Sequence, residues 1–161
     1  TLQRFCSGFD LMLDDIDGSD TQLLVTADHG FIDSPDNRMI ELDAHPELAG
    51  MLARPLCGEQ RVAWCYLKPE VDPDDFVRCV KARLGDYAEA VPRQQMLQEG
   101  WFGPGIAHPK LASRIGDFAL LMRDNWTIKD WLPGEPHHRT LGQHGGNSAK
   151  EMRVPLIAIS R

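Results

Sequence analysis

Apolar residues at the start of the chain recur at three- and four-residue steps. Leu2, Phe5, Phe9, Met12, Leu13 and Ile16 form one stripe and predict a helix over residues 1–16. Asp17-Gly18-Ser19-Asp20 predicts a turn. Leu23-Leu24-Val25-Thr26 follows as a short apolar run, the pattern of a strand buried on both faces. It stops abruptly at Asp28-His29-Gly30. Helix, turn, buried strand and then a polar loop is the order of an α/β domain, which gathers its ligands at that edge of the sheet.

The middle of the chain has a different rhythm. Val62, Trp64 and Tyr66 alternate within residues 61–68 and predict a strand. Asp72 is placed to cap a helix that opens at Pro73, shows Phe76, Val77, Val80 and Leu84 on one face, and stops at Gly85. Residues 87–97 predict a second strand. This β-α-β segment reads as a small α+β subdomain inserted at about residues 46–112. The run Phe118-Ala119-Leu120-Leu121-Met122 predicts a further strand. A loop rich in Pro, Gly and His spans residues 133–146, and Val154-Pro155-Leu156-Ile157-Ala158-Ile159 predicts a final core strand. The expected fold class is therefore α/β, with a core segment at residues 1–45, the insertion at 46–112, and a return to the core at 113–161.

Composition narrows the functional classes. The 161 residues suffice for one compact domain, and 42% apolar content supports a core. No apolar run approaches the roughly 20 residues that span a bilayer. No secretory leader is visible, and the sequence opens at Thr1 rather than Met. The net charge of -7 disfavours a nucleic-acid polymer as partner. An acidic protein acting on small phosphates needs bound cations to reverse the sign locally. Cys6, Cys57, Cys65 and Cys79 form no Cys-x-x-Cys pair and read as small buried hydrophobes in a reducing compartment.

Two motifs carry candidate chemistry. In Thr26-Ala27-Asp28-His29-Gly30, a carboxylate and an imidazole stand side by side where a strand breaks into a loop. Both suit zinc and similar ions, and Gly30 permits a sharp turn after them. A polar strand end with a satisfied histidine explains the same residues equally well. In Gly142-Gln143-His144-Gly145-Gly146, glycines flank a histidine and let the main chain approach an ion closely. A surface loop is the competing explanation.

Taken together, the two motifs resemble the type I phosphodiesterase/nucleotide pyrophosphatase branch of the alkaline phosphatase superfamily. The pattern is Asp-His-Gly after an apolar strand, then Gly-x-His-Gly followed by Glu151-Met152 and Val154-Pro155-Leu156-Ile157. Gly100-Trp101-Phe102-Gly103-Pro104 and Arg114-Ile115-Gly116-Asp117 resemble segments of bacterial members. The resemblance implies part of an alkaline-phosphatase-like core sheet with helices. It also implies a two-metal site in the complete domain, where metal-activated Thr or Ser attacks phosphorus. Asp28 and His29 would bind the ion nearest the nucleophile, and His144 the second. Zinc suits such ligands, and manganese or iron would fit. The implied substrate is a small phosphate ester or nucleotide.

The family's nucleophile, its first Asp ligand and an Asp-x-x-x-His pair have no counterpart here: Asp10 is followed by Asp14 where a His is needed. The expectation is a C-terminal portion, inactive alone, whose remaining site lies upstream. The alternative is a degenerate, non-catalytic binding module. Other residues receive plainer readings. His137 and His138 read as loop residues, His45 and His108 as turn residues before proline, and Lys150 and Arg153 as solvated charges. Trp64, Trp101, Trp126 and Trp131 read as packing. Thr26 reads either as a support for Asp28 or as a plain strand residue.

Overall fold

A computed structural model describes residues 2–18 and 20–160, the side chains of Leu2 and Phe5 excepted. Thr1, Ser19 and Arg161 fall outside, so the start of the predicted helix and part of the predicted turn are not described. The chain divides into two compact units.

The first unit runs to Asp28 and resumes at Arg153. It contains α1 (Leu2–Asp15), β1 (Gln22–Thr26) and β10 (Leu156–Ser160). The two strands pair antiparallel, with Leu24 opposite Ala158 and Thr26 opposite Leu156. Thr26 Oγ1 donates to the Pro155 carbonyl at 2.8 Å, so this side chain ties the strand to the segment before β10. Both strands exist as predicted, yet neither is buried on both faces. Leu24 is 57% exposed, Leu156 72% and Ile157 52%. A hydrophobic run reports a preference for burial, while its actual burial depends on what packs over it. Among the described residues, β1 and β10 pair only with each other.

The second unit spans His29–Met152. Its elements are β2 (Ile32–Asp33), β3 (Met39–Glu41), α2 (Pro46–Gly50), β4 (Cys57–Gly58), β5 (Val62–Cys65), α3 (Pro73–Leu84), β6 (Ala88–Pro92), α4 (Arg93–Gln98), β7 (Phe118–Met122), β8 (Thr127–Lys129), β9 (Gly142–Gln143) and α5 (Ala149–Met152). The centre is an antiparallel sheet of order β4-β5-β7-β6, with Trp64 opposite Ala119 and Val91 opposite Ala119.

The period-two alternation of β5 sends Ala63 and Cys65 to one face and Val62 and Trp64 to the other. On the first face, Cys65, Phe118 and Leu120 pack against Phe76, Val80 and Leu84 of α3 and Leu48 of α2. Asp72 caps α3 as its spacing predicts, its Oδ1 accepting from the Asp74 N–H at 2.8 Å, with Pro73 in the first turn. Phe76 is fully buried, so truncating it to alanine costs about 3–5 kcal/mol. The parallel pair β3–β8 adds Ile40 and Ile128 to the same core.

On the second face, Val91 and Ala119 pack with Met96 of α4 and Ile115. The strand predicted over 87–97 thus ends at Pro92. The straight-chain run Arg93-Gln94-Gln95-Met96-Leu97-Gln98 turns helical and buries Met96 against the sheet. The cysteines divide: Cys65 is buried as expected, while Cys6 and Cys57 are exposed.

Candidate functional site

A two-residue ladder brings the histidine loops together. Ile32 pairs with Gln143 and Asp33 with Gly142, and the Ser34 N–H donates to the Leu141 carbonyl at 2.8 Å. Just outside this ladder, the rings of His29 and His144 lie flat on one another, with centroids 3.9 Å apart and planes 8° apart. Phe31 meets both edge-on, at 4.9 Å from His29 and 5.3 Å from His144. Both histidines are half-buried.

His29 Nδ1 lies 3.0 Å from the Gly30 carbonyl oxygen. A carbonyl only accepts, so Nδ1 is the donor in this contact. That is how metal-binding histidines are held, the second ring nitrogen fixing the tautomer and the ring's orientation.

Behind the rings sits Glu151 of α5. Its carboxylate accepts from Arg61 Nε and Nη2, both at 3.0 Å, from the Gly146 N–H at 2.8 Å, and from Ser148 Oγ at 2.6 Å. Its backbone carbonyl accepts the Gly30 N–H at 2.8 Å. One residue therefore holds the loop after His29 and the loop after His144. Arg61 and Glu151 are each only 1% exposed, and Arg61 also donates to the Trp126 carbonyl. Burial favours the neutral acid. The hydrogen bonds from Arg61, Ser148 and Gly146, with the guanidinium charge, outweigh it and hold the Glu151 carboxyl below the usual carboxylate range.

The glycines after His144 are required by space as well as by turn geometry. Gly145 has φ +94°, and a Cβ there would lie 2.8 Å from Glu59 Cβ and Cγ. A Cβ on Gly146 would lie 2.7 Å from both Glu151 oxygens.

The structure brings His29 and His144 together. Asp28 is exposed and ends the first stretch of the first unit. Among the described residues, no group of three or more His, Cys, Asp or Glu side chains is gathered to hold an ion. What is present in the second unit fits a metal in its donor chemistry: two adjoining imidazoles, one with its Nδ1 held by a backbone carbonyl.

Sequence reasoning missed Phe31 and the Arg61–Glu151 pair; only the Glu151 position within the motif hinted at the latter. Asp117 of the Arg-Ile-Gly-Asp segment is architectural. It accepts the Leu67 N–H at 2.9 Å and pairs with Arg93 at 3.3 Å. His137 is exposed and stacks on Trp131 at 4.2 Å, and Trp126 packs on Tyr87 at 4.2 Å.

A model of the type I phosphodiesterase/nucleotide pyrophosphatase family matches residues 10–147. No curated protein matches the sequence. Among solved structures, phosphonoacetate hydrolase from Sinorhizobium meliloti in complex with phosphonoacetate is 23% identical with a TM-score of 0.68, covering 96% of this chain and 40% of that one. Human ectonucleotide pyrophosphatase/phosphodiesterase 5 is 22% identical with a TM-score of 0.63, covering 92% and 36%. An inactive form of the murine protein in complex with AMP is 22% identical with a TM-score of 0.56, covering 85% and 33%. The α/β fold is shared with these proteins, and the chain spans 33–40% of their lengths.

Proposed function

The chain belongs to the type I phosphodiesterase/nucleotide pyrophosphatase family, a hydrolase scaffold, and from that premise we propose that it is the C-terminal portion of a metal-dependent phosphoric ester hydrolase. The nucleophile and remaining ligands are assigned to sequence upstream, so the portion alone is inactive. The expected insertion at 46–112 extends in this reading through β7, which completes its sheet.

One observation carries the proposal. The stacked rings of His29 and His144 come from two loops more than a hundred residues apart, each of the motif type that binds metal in such hydrolases. His29, with Asp28, would hold one divalent ion, and His144 the other. Bound there, the ions (zinc, or manganese or iron) would offset charge developing on the phosphoryl oxygens and lower the pKa of a bound hydroxyl or water. The chain's own work is positional. The Gly30 carbonyl holds His29 Nδ1. Gly145 and Gly146 let the main chain close over Glu59 and Glu151, and Glu151 fixes both loops. The substrate is a small phosphate ester or nucleotide. No helix among the described residues is long and apolar enough to cross a membrane.

A non-catalytic binding module on the same scaffold is the second reading, and upstream sequence without a Thr or Ser nucleophile and an Asp-x-x-x-His pair would favour it. Nitrogen NMR of the histidine rings during zinc titration tests the site. The proposal expects Nε2 of His29 and a ring nitrogen of His144 to shift in proportion to bound zinc. Zinc that leaves both rings unmoved would rule the ligand assignment out.

A further inference from the structure

The second face of the central sheet is only partly covered. α4 and the segment to Ile115 pack over Val91 and Ala119, while Trp64 opens onto a cleft of about 740 Å³. Its other wall is the loop that follows His144, including Gly145. Trp64, Trp101 and Phe102 supply aromatic surface, and the Trp64 and Phe102 rings are 6.2 Å apart at 46°. Gly58 makes room for this: a Cβ there would lie 2.7 Å from Trp64 Cδ1, so only glycine lets the indole lie across β4.

Asn147 lines the cleft as a neutral polar group, and the cleft's charged groups share one sign. Glu59 and Glu99 line it, and among the described residues no lysine, arginine or histidine does. Glu99 is held in place, accepting from Trp101 Nε1 at 2.8 Å and from Gln95 Nε2 at 2.9 Å. Such a cleft repels a phosphate. It attracts a group that is apolar and positively charged, through the faces of the indole rings and through the two carboxylates.

We propose that this cleft is a substrate subsite for the alcohol portion of a phosphate ester, and that it selects an alcohol bearing an organic ammonium group. As a substrate subsite the cleft rests on the phosphoesterase reading, in which the phosphoryl group would lie at His29 and His144, the latter next in sequence to Gly145 of the cleft wall. The charge selection rests on the cleft alone. Aromatic faces and carboxylates distinguish a cation from a neutral isostere of the same shape, which gains only the apolar contact.

The test uses choline and its uncharged isostere, dimethylbutanol, titrated into this chain while the indole N–H resonances of Trp64 and Trp101 are followed. Choline should shift both saturably and bind about threefold or more tightly than the isostere. Glu59→Gln with Glu99→Gln, both at exposed positions, should remove that preference while leaving the rest of the spectrum in place. Trp101→Ala should weaken choline binding. Equal binding of the two probes, or no shift at either indole, overturns the cleft assignment. Hydrolysis of a nitrophenyl phosphodiester by a gene product that includes the upstream sequence is measured in parallel. Absence of hydrolysis overturns the phosphoesterase reading whether or not choline binds, and absence of choline binding overturns the cleft whether or not the ester is hydrolysed.

Discussion

Replacing Glu151 by alanine would remove the acceptor of four hydrogen bonds at one stroke. The largest consequence falls on Arg61. Its guanidinium is 1% exposed and would be left buried without a counter-charge. Breaking a buried ion pair from one side costs about 3–5 kcal/mol. For a domain of this size, about 2–4 °C in Tm accompanies each kcal/mol, so thermal unfolding should fall by about 6–20 °C. The double variant Arg61→Met with Glu151→Leu fills similar volume without leaving a charge, and should recover most of that loss. Recovery cannot be complete, because the Gly146 N–H and Ser148 hydroxyl would still lack their acceptor. The assay is thermal or urea unfolding of the three proteins side by side. A single variant within about 1 kcal/mol of the parent, or a double variant no better than the single, would refute the view that the pair is buried and mutually dependent.

Further outcomes follow from the same geometry. Because the Glu151 pKa is depressed in the folded state, its stabilisation is present above the unfolded carboxylate value of about 4.3 and lost as pH falls through the folded value. Acid unfolding should therefore be shallower in Glu151→Gln than in the parent. Gly145→Ala forces a Cβ against Glu59 at φ +94° and should cost about 1–3 kcal/mol in urea unfolding, where a neutral effect would contradict the loop placement. Burial first, and then the charges of Asp117 and Cys57, push the Cys65 thiol well above its ordinary pKa. Cys6 and Cys57 should thus react with a thiol reagent in the native protein, and Cys65 only after unfolding.

The elements with strong local signals were legible. Asp72-Pro73 at the start of α3 and the alternating β5 are set by residues adjacent in sequence, and both appear where the pattern puts them. The short strands β2, β3, β8 and β9 were not, because two or three residues carry no period and their pairing is decided by partners far along the chain. α4 was misread as strand because Pro92 divides a run whose second half contains no β-branched residue. Of the site, both histidines were legible as motif residues. Their stacking was not, nor was the Arg61–Glu151 pair, since contacts across 90 positions leave no trace in one sequence. The burial of β1 and β10 was overestimated for the reason seen at Leu24 and Leu156: apolar composition does not say what covers a strand. Trp64 and Trp101 were read as packing, and the cleft they line depends on loops the pattern left unassigned.

The central claim is that His29 and His144 belong to one metal-dependent phosphoesterase site. Its most direct test is hydrolysis of a nitrophenyl phosphodiester by a gene product that includes the upstream sequence, with and without zinc or manganese, for the parent and for His144→Ala. The account predicts hydrolysis only with metal, and a loss of about a hundredfold or more in kcat/KM on removing His144. Hydrolysis that is indifferent to both metal and His144 would contradict it.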